Sequence, residues 1–293
     1  MNVVISGASG YLGGRLVESF LSHGDRVLAV ARNTKGRLSS LAKENGGLDV
    51  CELDVDDLLF SMSRFAPDVV LSTTCCYETD PKFLMKTVSS NYIFPTTLLK
   101  SSLQLGRNVR FVSIGTSLPE SLNLYSLTKK QFAELGAFFS TIGKIQFVNV
   151  LLEGFYGKDE PGNRFIKRSI ISLLKNEELD VTDGIQQRDY VSVDDVVDAL
   201  YFISTSGTLK ESFYEIPLGS GDSPSIREVL EFLKEQAQSD SFINFGAVPS
   251  RPNEPSTRAD LTRLRELGYT KPMTFWKDGL KQLVEEIQNE AFD

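Results

Sequence analysis

Tyr125 and Lys129 stand four residues apart in Tyr125-Ser126-Leu127-Thr128-Lys129. On a helix that spacing puts a phenol and an amine on one face. A lysine ammonium beside a tyrosine favours the phenolate and lowers the phenol pKa. Such a phenol can pass a proton to or from a substrate oxygen while a nicotinamide exchanges hydride with the adjoining carbon. A second chemical pattern opens the chain, in Ile5-Ser6-Gly7-Ala8-Ser9-Gly10-Tyr11-Leu12-Gly13. It follows the apolar run Val3-Val4-Ile5 and precedes Leu12, Leu16, Val17, Phe20 and Leu21, which recur at helical spacing. Strand, glycine turn and helix in that order make the front of a dinucleotide-binding βαβ unit. The glycines let backbone approach a pyrophosphate, and the helix start supplies amides and the positive end of a dipole. Gly7, Ser9, Gly10, Tyr11, Leu12 and Gly13 are therefore candidate cofactor contacts.

Both patterns need a sheet to carry them. Strand-like runs at 27–31, 48–53, 69–73, 109–113 and 145–152 alternate with helical patterns near 12–23, 56–64, 82–104 and 122–142. That alternation predicts an α/β fold, a Rossmann doubly wound parallel sheet covered on both faces. Past about Gly154 the pattern changes. Pro161-Gly162-Asn163 and Asp183-Gly184 mark turns, and helical segments follow near 163–176, 194–206, 224–237 and 274–290. We read a smaller C-terminal α/β substrate lobe. The expected division gives 1–154 and 185–217 to the dinucleotide domain, and 155–184 and 218–293 to the lobe.

The second strand ends Val30-Ala31-Arg32-Asn33, without the acid that takes ribose hydroxyls in NAD sites. Arg32 can pair with a 2′-phosphate through its planar fork, and Lys35 and Arg37 add charge nearby. NADP(H) is the expected cofactor, with NAD the alternative, in which Arg32 is a solvated loop residue. Asp54, with Val55 next to it, follows the third strand and meets either the adenine edge or a helix start as its cap. Thr73 and Tyr77 lie in Ser72-Thr73-Thr74-Cys75-Cys76-Tyr77. Thr73 borders the cofactor; Tyr77 either reaches the substrate or packs.

A length of 293 residues with 41% hydrophobic and 24% charged residues suits a globular protein with a sizeable core. The formal charge of −8 argues against nucleic acid as the main partner. It leaves room for a small anion in a locally basic cleft. No apolar run reaches membrane-spanning length, and no leader pattern opens the chain, so we expect no membrane partner and a cytoplasmic location. The three cysteines Cys51, Cys75 and Cys76 lack metal-ligand spacing, so no metal is expected, and reduced thiols fit. His23, the single histidine, reads as a helix-end residue.

With Gly7-x-x-Gly10-x-x-Gly13 and Tyr125-x-x-x-Lys129 in place, the chain resembles an extended short-chain dehydrogenase/reductase of the nucleotide-sugar epimerase/dehydratase family over nearly its whole length. Asn91 stands where the family has an asparagine supporting the active site, and we group it with the substrate-side residues. Gln187-Arg188-Asp189-Tyr190-Val191-Ser192-Val193-Asp194-Asp195-Val196 matches the family's Arg-Asp-aromatic and Asp-Val segment. The resemblance makes Arg188 a ligand of the substrate diphosphate, while Asp194 and Asp195 read as helix caps. Residues 152–159, Asn163-Arg164-Phe165 and 245–254 are most similar to the reductases that make CDP-3,6-dideoxyhexoses, the abequose and paratose synthases. The resemblance implies NADPH-dependent reduction of the 4-keto group of a nucleotide-linked deoxyhexose. Asn163, Phe165 and Arg251 then join the substrate contacts; Arg251 otherwise reads as a loop arginine. It also implies a homodimer formed through two long helices per subunit.

One position departs from the family. The serine or threonine expected beside the tyrosine falls on Ile114 in Ser113-Ile114-Gly115-Thr116-Ser117. Thr116 is our candidate for that role, ahead of Ser113. The acid pair of the dehydratases is replaced by Gly115 and Thr116, which disfavours 4,6-dehydration. A 4-epimerase with bound NAD is the alternative enzyme. A non-catalytic NADP-binding regulator is the alternative outside catalysis, and retention of both Tyr125 and Lys129 argues against it.

Overall fold

The computed structural model describes residues 1–53, 56–78, 80–250 and 254–292. Asp54, Val55 and Arg251 lie outside them. In chain order the elements begin β1 Asn2–Ser6, α1 Tyr11–Ser22, β2 Arg26–Ala31, α2 Arg37–Glu44, β3 Leu48–Glu52, α3 Leu58–Phe65 and β4 Val69–Ser72. Then come α4 Leu84–Val88, α5 Phe94–Gln104, β5 Val109–Ile114, α6 Leu124–Ile142 and β6 Ile145–Leu152. The rest is β7 Gly154–Tyr156, α7 Phe165–Leu174, β8 Leu179–Val181, β9 Tyr190–Ser192, α8 Val193–Thr205, β10 Phe213–Leu218, α9 Ile226–Gln236, β11 Ile243–Phe245, α10 Thr262–Glu266 and α11 Trp276–Phe292.

The chain divides into two compact units, Met1–Leu152 with Val197–Ile216, and Glu153–Val196 with Pro217–Asp293. In the first, seven strands form one sheet in the order β10-β6-β5-β4-β1-β2-β3. The pairings from β3 through to β6 are parallel. The chain leaves β3 at one edge and returns beside β1 as β4. The connections after β1 and β4 therefore run in opposite directions, which opens a crevice beyond their carboxyl ends. The strands are nearly continuous apolar runs because both faces are covered. On one face Phe111 and Phe147 stack at 5.5 Å, and Phe132 meets Phe147 edge-on. Gly136, mid-helix in α6, lets the helix lie on that stack: a Cβ there would come within 2.1 Å of the Phe147 ring.

The expected helix at 82–104 is interrupted. A π turn over Ser89–Ile93 separates α4 from α5. Pro95 has no N–H to give the carbonyl of Asn91 four residues back, so the regular ladder breaks there. The α2 helix had no sequence expectation; its buried face rests on Leu38 alone, too little to show a period. His23 caps the end of α1, its ring stacked 4.0 Å from Tyr201.

In the second unit β7 pairs with β9 and β8 with β11, both parallel. Helices α7, α9 and α11 close around Ile170, Leu173, Leu230, Leu233, Leu280 and Val284. A Ser225–Glu228 capping box starts α9. The return to the first unit begins at Val197, later than the expected 185. The reason is β9, which takes 190–192 into the second unit by pairing with β7.

Candidate active site

At the carboxyl end of β1 the chain turns at Gly7, whose φ is +71°. A Cβ on Gly7 would come within 2.8 Å of Thr73 Oγ1, the hydroxyl that donates to the Ser6 carbonyl at 2.6 Å. Thr73 thus fastens the end of β4 to the end of β1. Gly13 sits tighter, since a Cβ there would meet the Gly7 carbonyl oxygen at 2.2 Å. The start of α1 is therefore pressed against the loop. Gly10 caps α1 in an extended conformation with no side-chain hydrogen bond. Backbone rather than side chain faces the helix start, which is the environment a pyrophosphate requires. These residues fit the dinucleotide that the sequence implies.

At the end of β2, Arg32 is exposed and has no ion-pair partner among the described residues. Arg37 differs from the expectation: its guanidinium pairs with Glu18. The Asn33 carboxamide accepts from the Lys35 amide, and Thr34 Oγ1 donates to Glu52 Oε2 at 2.5 Å. Arg32 and Lys35 are the cations of this loop that have no ion-pair partner among the described residues.

Lys129 is buried, and its Nζ donates to the carbonyls of Ile114 at 2.8 Å and Thr74 at 3.2 Å. It bridges the chain at the carboxyl ends of β5 and β4. Burial pulls its pKa below the ordinary lysine value, and the nearby Cys75 thiol pulls the other way. Tyr125 lies one turn earlier on α6, just inside an Asn123–Ser126 capping box that fixes where the helix begins. Its ring meets that of Tyr77 at 4.7 Å between centroids and 57° between planes. Thr116 is buried; its oxygen accepts the Leu118 amide at 3.2 Å, and its proton has no acceptor among the described residues. At Gly115 a Cβ would strike Asn149 Oδ1 at 2.4 Å, so a larger residue there requires the Asn149 carboxamide to move.

Asn91, grouped with the substrate-side residues, turns inward. It is fully buried, accepts from the Cys76 amide at 2.8 Å, and donates to the Cys76 carbonyl at 3.0 Å and Thr128 Oγ1 at 3.3 Å. Its carboxamide is engaged on the protein through both oxygen and nitrogen, the geometry of a support rather than of a substrate contact.

In the second unit Arg188 donates to the Gln187 and Pro255 carbonyls and to Glu254 Oε1, the last at 2.6 Å. Its neighbour Asp189 is completely buried and accepts from the Ser220 amide and hydroxyl and from the amides of Gly221 and Ala259. That carboxylate knots three chain segments around Arg188. Phe165 stacks on Tyr190 at 6.4 Å. Asn163 is exposed in the turn before α7. Asp195 is no simple cap, because its Oδ2 accepts from the amide of Thr274. Sequence reasoning missed Glu254 and Glu160. Glu160 is buried, accepts the Lys167 amide at 3.1 Å and faces Arg164 at 3.6 Å. Burial outweighs Arg164 and pushes its carboxyl up to about 7. A charge four residues from an arginine was the available signal, but burial is not a local property.

Among the described residues no group of three or more His, Cys, Asp or Glu could hold a metal, and no helix is long and apolar enough to cross a membrane.

Residues 3–219 match the NAD dependent epimerase/dehydratase family. The chain belongs to that family and is an NAD(P)-dependent enzyme of the short-chain dehydrogenase/reductase type. It is 29% identical to the CDP-abequose synthase of Salmonella typhimurium over 97% of this chain and 98% of that protein. The CDP-abequose synthase of Yersinia pseudotuberculosis is 25% identical, over 80% of this chain and 84% of its own. The crystal structure of the UDP-glucuronic acid 4-epimerase of Bacillus cereus, in complex with UDP-glucuronic acid and NAD, superposes with a TM-score of 0.86 at 21% identity. It covers 99% of this chain and 100% of that one, a likeness of fold.

Proposed function

We propose that this protein reduces the 4-keto group of a nucleotide-linked deoxyhexose, with NADPH as reductant. The observation that carries the reading is the end-to-end correspondence with CDP-abequose synthase, in a chain that keeps both Tyr125 and Lys129. The glycine turn from Gly7 to Gly13, with Thr73, holds the dinucleotide, and Arg32 takes the 2′-phosphate. When bound, the nicotinamide supplies hydride to the carbonyl carbon. Tyr125 gives its phenolic proton to the carbonyl oxygen, where negative charge would otherwise develop. Lys129 keeps that phenol acidic and steadies the resulting phenolate. Thr116 donates a hydrogen bond to the same oxygen. Arg188, together with Arg251, holds the diphosphate, and Asn163 and Phe165 border the nucleotide sugar.

The deciding experiment supplies nucleotide-linked 4-keto deoxyhexoses together with NADPH or NADH and follows cofactor oxidation. Stoichiometric oxidation of NADPH, with formation of the 4-hydroxy sugar, is the expected result. The 4-epimerase alternative draws on the family's NAD-dependent members and predicts sugar interconversion without net cofactor consumption. We also propose a homodimer. Met85, Ile93, Phe138 and Ile142 are exposed apolar residues of the segment from α4 to α5 and of α6, and pairing two subunits along these helices would cover them. A dimer in sedimentation at micromolar concentration is expected, and a monomer would refute it.

A further inference from the structure

Tyr77 is a large aromatic residue on a loop, with 54% of its surface exposed, yet the backbone on both sides of it is fastened. On one side the buried Asn91 carboxamide holds both the amide and the carbonyl of Cys76. On the other, Thr87 Oγ1 donates to the Glu78 carbonyl at 3.4 Å. The same Asn91 donates to Thr128 Oγ1, and that hydroxyl is bonded to the carbonyls of Leu124 and Tyr125. One carboxamide therefore ties the loop bearing Tyr77 to the helical turn bearing Tyr125. Lys129 adds a second tie through the Thr74 carbonyl. The π turn at Ser89–Ile93 is the irregularity that carries Asn91. Such turns are frequent at functional sites. This much fastening is not needed to pack an exposed ring. It is what is needed to hold that ring in one place against another.

We propose that Tyr77 is a positioning residue: its ring, braced by Asn91, confines the Tyr125 phenol to its proton-donating orientation and shields one side of it from water. The inference rests on Tyr125 being the proton donor and deepens that reading. An edge-tilted aromatic pair at 4.7 Å limits the rotamers open to Tyr125. Shielding also works against phenolate formation, so Tyr77 and Lys129 act in opposite senses on the same hydroxyl. The balance keeps the phenol protonated, as a donor must be, yet ready to release its proton.

The ring and not the Tyr77 hydroxyl carries this role. Tyr77→Phe should therefore stay within about twofold of the parent in kcat, and Tyr77→Ala should lose about tenfold or more, with a smaller change in KM for the nucleotide sugar. A second measurement needs no turnover. In the ligand-free protein labelled at tyrosine Cζ, with the Tyr125 resonance assigned by its loss in Tyr125→Phe, the Tyr125 titration should move to lower pH in Tyr77→Ala and stay in place in Tyr77→Phe. Lys129 and Lys130 of this helix and Cys75 and Glu78 of this loop, with Lys86 paired to Glu78, are the titratable groups around the two rings and are unaltered in both variants. The proposal is overturned if Tyr77→Ala keeps its kcat, if only KM rises, or if Tyr77→Phe falls as far as Tyr77→Ala. The last result would make the hydroxyl a substrate contact. An unmoved Tyr125 titration in Tyr77→Ala overturns it as well. Should no nucleotide sugar be turned over, the reductase reading fails, while the titration still decides whether Tyr77 governs Tyr125.

Discussion

The two units build their candidate sites from different materials. The first uses backbone: a glycine turn, an uncapped helix start, and two strand-end carbonyls gripping Lys129. The second uses side chains that meet across long stretches of sequence, with Arg188 against Glu254 and Asp189 against residues 220, 221 and 259. A backbone site follows from the sheet and its turns, and its residues stand close in sequence. A side-chain site depends on where distant loops come together. The first is therefore expected to be sensitive to steric changes at glycine and to the proposed proton-transfer pair, the second to the loss of single charges.

The largest expected effect separates chemistry from binding in the first unit. Tyr125→Phe should lower kcat by about 10²–10⁴-fold while leaving cofactor affinity nearly unchanged, measured by NADPH oxidation and by titration of the cofactor. Retained turnover would remove the proposed mechanism. Next, Asp189→Ala removes a buried carboxylate and leaves the amides it holds without their acceptor. A loss of about 3 kcal/mol in denaturant unfolding is expected. A loss below about 1 kcal/mol would mean that the second site does not depend on single charges, and the contrast would fail.

Glu160 tests the same contrast through pH. Its folded pKa of about 7 lies above the unfolded value, so the folded state binds the extra proton between those two pH values. Stability then falls as pH rises from about 4.5 to 7, by at most about 3 kcal/mol. Glu160→Gln should flatten that slope and raise the unfolding midpoint relative to the parent above pH 7. An unchanged slope would place the proton elsewhere. The smallest effect is at the exposed Arg32, where Arg32→Ala should cut the preference for NADPH over NADH by about tenfold in kcat/KM. An unchanged ratio would mean that another group sets cofactor choice.

Much of the first unit is legible in the amino-acid sequence. The runs at 27–31, 69–73 and 145–152 fall on β2, β4 and β6, because a strand buried on both faces writes itself as consecutive apolar residues. The glycine turn and Tyr125-x-x-x-Lys129 are patterns of near neighbours along the chain. The helix break at Asn91 is implicit in Pro95, yet nothing local says that the carboxamide closes on Cys76. Arg188 is visible as a cation, but its Glu254 partner is not, and the same holds for Arg37 with Glu18.

The amino-acid sequence alone settled the alternation of strands and helices, the glycine turn and the phenol–amine pair, since periodicity and short spacing act within a few residues. Tertiary structure alone decided that Glu160 is buried, that β9 draws residues 190–192 into the second unit, and that Tyr77 lies against Tyr125. Those outcomes join residues far apart along the chain, and only the packing of whole elements determines which of them meet and which lose their water.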